Sequence, residues 1–348
     1  MEIEKLNEQS NRKIDLSFSN VELIEKDGLF FILKKAIETD LETTSLQISF
    51  LKQLPYKVKA YFPEIIEYNI KDDEVWYTMP YYKLTSLDAA LSDNSIPVVK
   101  MEQLLLNMLT MLINDFYSKK IEGELTQSYL DKVYFERIKK RINYFSSSSI
   151  ENERLVTANE VFINGKSFKN PLYIIEKMQS ETQKLRDLTP LFTTMTHGDL
   201  EANHILFDVE DLNNYKLLDP RVNVKGGDPA YDLGKLFQSL NSYSHLMFSG
   251  LFKLEIETLL SGHSHYCFNY IHKRPEEQLI YLKQQLYKEI DMQVIPSLTN
   301  WKQRSLFAEA SHFLSAPPFF LSPKYPKHLA KMLYIQGVIL LNNFYYGK

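Results

Sequence analysis

From Asn20 to Lys35, apolar and polar positions alternate around Asp27-Gly28. A period of two with Asp-Gly at its centre predicts a β-hairpin. Phe30, Ile32 and Lys34 fall on one face, Phe31 and Leu33 on the other. The period then lengthens: Leu46, Phe50, Leu51 and Leu54 make the apolar face of a helix expected from about Leu41 to Leu54. Pro55 and Pro63 punctuate the next loop, and Ile65–Ile70 with Glu74–Met79 predicts a second strand pair around Lys71-Asp72-Asp73. Past Met79-Pro80-Tyr81-Tyr82 helical spacing takes over, with helices expected at about 98–119 and 127–145. Ser146–Ser149 reads as a flexible break, Val161–Lys166 as a small surface hairpin on Asn164-Gly165, and 204–219 as a further hairpin. Residues 228–348 read mostly as helices separated by prolines. The expected architecture is α+β: a small β-rich lobe over 1–79, a hinge over 80–83, and a larger, mainly helical lobe over 84–348.

Composition narrows the function. With 348 residues and a formal net charge of -4, the chain has ample length for a core and no global field to attract nucleic acid. The single cysteine, Cys267, excludes an intramolecular disulfide and fits a reducing compartment. Met1-Glu2-Ile3-Glu4-Lys5 is too polar for a signal peptide. The longest apolar stretch, Met332 to Tyr346, is interrupted by Gln336, Asn342 and Asn343, and so predicts a buried helix and no membrane span. A soluble cytoplasmic protein is expected, with neither membrane nor nucleic acid as partner. Glycine is scarce, 11 residues, and neither G-x-x-x-x-G-K-[ST] nor G-x-G-x-x-G occurs, so Walker-type and dinucleotide-binding classes are disfavoured.

The densest chemistry lies in His197-Gly198-Asp199-Leu200-Glu201-Ala202-Asn203-His204-Ile205-Leu206. Asp199 sits on a tight turn, and His204, five positions on, opens a short strand, Ile205–Phe207. Asp208 to Asn214 supplies a turn and Lys216-Leu217-Leu218 returns antiparallel, so Asp219 is expected beside His204. A candidate base then lies next to two side chains able to hold a metal, the arrangement phosphoryl transfer requires. Downstream, Asp228-Pro229 predicts a helix start, Asp as N-cap and Pro at the first position. Asp232, in the first turns of that helix, is placed to bond backbone amides of the 197–200 loop.

These blocks resemble the aminoglycoside phosphotransferase and choline kinase group, small-molecule kinases with a protein-kinase-like fold. The usual form there is H-G-D-x-x-x-x-N-I-L, then two hydrophobic residues and Asp, then G-D-P-x-Y-D-L-A. The resemblance implies that Asp199 is the base, that His204 and Asp219 hold Mg²⁺, and that Asp232, with His197 and Asp228, supports the loop. His204 stands where asparagine is usual, a substitution shared with some antibiotic-phosphorylating members. The resemblance also implies a strand lysine on the nucleotide phosphates, best matched by Lys34. Gln47 stands in the place of the lysine's usual glutamate partner, with Glu42 as the alternative. The phosphate-covering loop would be Ser17-Phe18-Ser19-Asn20. The segment Met79 to Lys83, Met79 and Tyr81 included, would present backbone to the base of ATP or GTP.

Only residues 220–231 separate Asp219 from Asp232. That leaves no room for a peptide-docking segment and favours a small hydroxylated acceptor, such as a sugar, an amino alcohol or an aminoglycoside-like molecule. Residues 241–348 carry eleven Lys and Arg against seven Asp and Glu, which favours a neutral or anionic acceptor over a polycation. A nucleotide-binding pseudokinase or regulatory protein of the same fold is the alternative, for which His204 and Gln47 argue. The His263-Ser264-His265 pair reads as polar surface, and Trp76 and Trp301 as core or rim.

Overall fold

The computed structural model describes residues 19–37, 40–92, 94–121, 125, 128–221, 226–243, 250–258, 264–271 and 274–347. At its N-terminal end, β1 (Ser19–Lys26), β2 (Leu29–Ala36), β3 (Glu67–Ile70) and β4 (Val75–Pro80) form an antiparallel sheet in the order β1-β2-β4-β3. Asp27 and Gly28 both take positive φ, 55° and 76°, the tight turn whose twist matches the paired strands. Helix α1 (Leu41–Gln53) buries Thr44, Gln47, Ile48 and Leu51. Leu46 and Phe50, expected on its apolar face, are only half-buried. The stripe is rotated toward Gln47 because this amide is drawn inward by polar partners described below.

Beyond Pro80 the chain is mainly helical. Helices include α2 (Val98–Met111), α3 (Glu136–Ser147), α4 (Ile150–Thr157), α5 (Pro229–Gln238), α6 (Glu276–Asp291), α7 (Trp301–Ser315) and α8 (Leu329–Tyr346). The architecture is α+β, a small antiparallel-sheet lobe followed by a larger, mainly helical lobe. At Gly234 of α5 an added Cβ would lie 2.5 Å from that of Ala308 on α7, so glycine is what lets the two helices approach. Among the described residues no helix is long and apolar enough to cross a membrane.

Three expectations are corrected. The serine run breaks the helices only at Ser148-Ser149: α3 runs through Ser147, and the Ser149 hydroxyl caps α4 by accepting from the Asn152 amide at 3.2 Å. The Asn164-Gly165 hairpin, β6 (Glu160–Ile163) with β7 (Lys166–Lys169), is not a surface excursion. It joins a sheet ordered β10-β11-β6-β7, in which β11 runs parallel to β6. The third correction is this sheet's other half: β10 (Phe252–Thr258) and β11 (Ser264–Tyr270) lie where helix was expected. Phe252, Leu254 and Ile256 alternate with Lys253, Glu255 and Glu257, a period of two that selects a strand. His265 lies on β11, where its Nε2 accepts from the Gly165 amide at 2.9 Å, while His263 lies outside the described residues.

Candidate active site

The loop 197–199 is fixed from beneath by α5. Both oxygens of Asp232 accept main-chain amides, from His197 and from Gly198, each at 2.7 Å. Asp228 caps the same helix, accepting from the Ala230 amide at 2.9 Å, and is paired with Arg304 (Nη1 to Oδ1, 2.6 Å). Burial pushes the Asp232 carboxyl up to about 7, against the two amides and the Tyr117 hydroxyl, which favour its charged form. His197 is fully buried, 6.2 Å from the Phe62 ring centre to centre. Its Nδ1 accepts from the Asp199 amide at 3.2 Å, and burial, then neighbouring His204, push its protonation down to about 4. His197 is therefore neutral near pH 7.

Gly198 has φ 79°, and a Cβ there would lie 1.9 Å from the Arg221 carbonyl oxygen. Arg221 in turn donates its amide to the His197 carbonyl at 2.8 Å, so the 197–199 and 219–221 segments are in direct contact. Gly198→Ala is expected to destabilise by about 2–3 kcal/mol, from the left-handed backbone and the displaced carbonyl together. A urea midpoint equal to wild type would show that the loop can yield.

The hairpin β8 (Ile205–Phe207) and β9 (Tyr215–Leu217) pairs Ile205 with Leu217 and Phe207 with Tyr215. β8 also pairs with β5 (Thr85–Ser86). The Leu218 amide donates to the His204 carbonyl at 2.8 Å, which brings Asp219 back beside His204. Asp219 has φ 54°, a conformation aspartate tolerates better than most residues. Its Oδ1 lies 2.7 Å from the Lys34 ammonium on β2. Burial alone would raise the Asp219 carboxyl, but Lys34, and next His204, hold it below the usual carboxylate range. Lys34 also donates to Gln47 Oε1 at 3.1 Å, Gln47 Nε2 donates to the Pro220 carbonyl at 3.2 Å, and the Tyr77 hydroxyl donates to Gln47 Oε1 at 3.1 Å. Sheet, helix α1 and loop thus meet at one polar knot.

Asp199 is flanked by two cations and an imidazole. Arg221 Nε stands 3.2 Å from Oδ2, Lys235 Nζ 3.3 Å from Oδ1, and His204 Nδ1 3.9 Å from Oδ2. Burial would raise its carboxyl, but Lys235, His204 and Arg221 outweigh that and hold it far below the usual range. Asp199 is therefore ionised near pH 7. His204 Nδ1 lies 2.9 Å from the Asp199 carbonyl, which can only accept, so Nδ1 carries a hydrogen. Glu201 completes the cluster, 2.8 Å from Lys235 and 3.7 Å from His204 Nε2. Asp199, Glu201 and His204 place atoms able to ligate a cation within 4.8 Å of one another, with the Lys235 ammonium against both carboxylates.

Sequence reasoning singled out neither Glu201, Arg221 nor Lys235. The first two lie within the motif blocks or between them, and Lys235 is one turn along α5 from Asp232. Their charge next to Asp199 was the available signal.

The nucleotide-side residues are less tightly gathered. Ser17 lies outside the described residues, and Ser19 and Asn20 are not in a loop but open β1, paired in register with Ala36 and Lys35. The ladder to β2 claims their backbone, and this places them next to the Lys34 end of that strand. Met79 is buried in β4, and the Tyr81 amide donates to the Phe30 carbonyl at 3.0 Å. The Tyr81 N–H is therefore engaged, and a base edge would have to meet other groups of this segment.

No family model and no curated protein matches the chain. Among solved structures the chain is similar to choline kinase LicA from Streptococcus pneumoniae, with 13% identity over 98% of this chain and 99% of that one, at a TM-score of 0.47. It is similar to APH(2″)-IIa in its gentamicin complex, with 14% identity over 97% and 95% of the two chains and a TM-score of 0.49. It is also similar to ADP-bound aminoglycoside phosphotransferase APH(2″)-Ib, with 14% identity over 98% of each chain and a TM-score of 0.46.

Proposed function

We propose that the protein is a cytoplasmic phosphotransferase that moves the γ-phosphate of ATP or GTP to a hydroxyl of a small molecule. The observation that carries this reading is the convergence of Lys34, Asp219, His204 and Asp199 at the meeting of sheet and helical lobe. The lobes would be 1–79 for nucleotide and 84–348 for acceptor, with 80–83 as hinge. Asp199, ionised and with its backbone N–H donating to His197 Nδ1, accepts the proton of the acceptor hydroxyl. The hydroxyl oxygen bonds to the γ-phosphorus, the bond to the β–γ bridging oxygen breaks, and the nucleoside diphosphate leaves. Lys34 is positioned to contact the phosphates, and Arg221 to balance charge beside Asp199.

The donors fit Mg²⁺. Lys34 bonds Asp219 through Oδ1 and His204 meets the Asp199 carbonyl through Nδ1, so Asp219 Oδ2 and His204 Nε2 are the atoms placed to ligate. One or two carboxylates plus phosphate oxygens are what this ion commonly uses, and Asp219 supplies one such carboxylate. Asp219 and His204 would hold it, and when bound it would neutralise charge on the phosphates. The Asp199–Glu201 pair is the weaker site, since Lys235 already supplies a positive charge to both carboxylates.

The test is thermal shift with ATP or GTP, with and without Mg²⁺, followed by diphosphate release over sugars, amino alcohols and aminoglycosides. Metal-dependent stabilisation and acceptor-dependent release are expected, with both lost in Lys34→Met. A second reading, a nucleotide-binding regulatory protein, draws on the ion pairs that already engage Asp199. Stabilisation without release would select it, and no response to any nucleotide would overturn both.

A further inference from the structure

We propose that the acceptor of this site carries an oxyanion, a phosphate or a carboxylate, held by Arg137 and Arg141 of α3 beside Arg221. The inference rests on the phosphotransferase reading for its acceptor and on geometry for its anion. Arg137 and Arg141 are four residues apart on one helix, so they share a face and repel one another unless an anion lies between or beside them. Arg137 donates to the Tyr231 hydroxyl and, at 2.8 Å, to the Ser311 hydroxyl. The Arg141 guanidinium lies 4.1 Å over the Phe319 ring. Among the described residues neither guanidinium pairs with a carboxylate, and the Arg137 Nε is buried with no hydrogen-bond partner.

Tyr231 ties this pair to the catalytic loop. It directly precedes Asp232, its ring centre stands 5.2 Å from the Arg137 guanidinium carbon, and it interacts electrostatically with both Arg141 and Arg221. Burial, then the like charges of Arg137 and Arg221, depress the protonation of Arg141. Arg221 is itself 3.2 Å from Asp199. His312, packed edge-on to Tyr231 at 4.5 Å, adds no charge, because burial and then Arg137 keep it neutral. Asp199 and Glu201 are answered by Arg221 and Lys235, so Arg137 and Arg141 remain in excess. A polycationic acceptor meets repulsion here. An oxyanion meets planar donors that can hold two of its oxygens at once. Its hydroxyl end then reaches Asp199, and the anion is unchanged by the transfer.

Two measurements decide this. Calorimetric titration of the full chain with inorganic phosphate needs no nucleotide. Arg141→Gln is expected to weaken phosphate binding at least tenfold and Arg141→Lys less, with ATP binding kept in both. Phosphate affinity equal in wild type and in both Arg141→Gln and Arg137→Gln, each folded by circular dichroism, overturns the site. Diphosphate release is then compared over sugar phosphates, hydroxy acids, the parent sugars and an aminoglycoside. Turnover should favour the anionic acceptors, with the Arg141→Gln defect falling on KM more than on kcat. Turnover of neutral or cationic acceptors alone overturns the inference and leaves the phosphotransferase reading standing. No turnover with any nucleotide overturns that reading, and the phosphate titration still decides the anion site.

Discussion

Asp199→Asn is expected to lower kcat by roughly 10²–10⁴, the span that a lost general base removes. The amide keeps the size and shape of the carboxylate but cannot take a proton. It also leaves Arg221 and Lys235, now 3.2 and 3.3 Å from the carboxylate, without their shared counter-charge. Nucleotide affinity should be largely retained, because Lys34 and Asp219 do not touch the substituted group through any hydrogen bond. Single-turnover rates with saturating nucleotide isolate the chemical step from product release. A rate equal to wild type would remove Asp199 from the mechanism and move attention to Glu201.

Arg304→Ala should cost about 3–5 kcal/mol of folding stability, the penalty for removing one partner of a buried ion pair. Arg304 and Asp228 have side chains 1% and 0% exposed, and their contact is 2.6 Å. Arg304 also donates to the Ser297 carbonyl at 2.6 Å, so truncation strips two buried acceptors at once. Burial already raises the Asp228 carboxyl against the opposing pull of Arg304. Without the guanidinium, Asp228 would take up a proton and weaken as the cap of α5. The helix that holds the 197–199 loop through Asp232 would loosen with it. Urea unfolding measures the loss, and Arg304→Ala paired with Asp228→Asn should recover part of it. A cost below about 1 kcal/mol would show that the pair is dispensable.

What could be read in the chain was local. Asp27-Gly28, Asn164-Gly165 and Asp228-Pro229 specify backbone conformation through their own side chains, and each turn or cap lies where its sequence predicts. The spacing from His204 to Asp219 is likewise set by one hairpin, so their approach followed from a period of two. The β10–β11 hairpin was obscured because it sits in an otherwise helical half, although its alternation was present. The partners of Asp199 were less legible for a different reason. Arg221 and Lys235 reach it from two separate segments, and nothing local distinguishes an inward lysine on an amphipathic helix from a solvated one. The Arg137–Tyr231 contact spans 94 positions and carries no trace in the spacing of either residue.

Gln47, at first sight a weakened glutamate, gives the polar knot a property that a carboxylate would not. Its amide accepts from Lys34 and Tyr77 with one atom and donates to the Pro220 carbonyl with the other. Being neutral, it leaves Asp219 as the only carboxylate bonded to Lys34 among the described residues. In the proposed complex, that one negative charge has two claimants, the ammonium and the metal ion. Were Asp219 to hold the ion, Lys34 would lose its counter-charge and would be left to pair with phosphate oxygens. Nucleotide binding would on this reading be an exchange of counterions at Asp219, from an internal ammonium to an external cation.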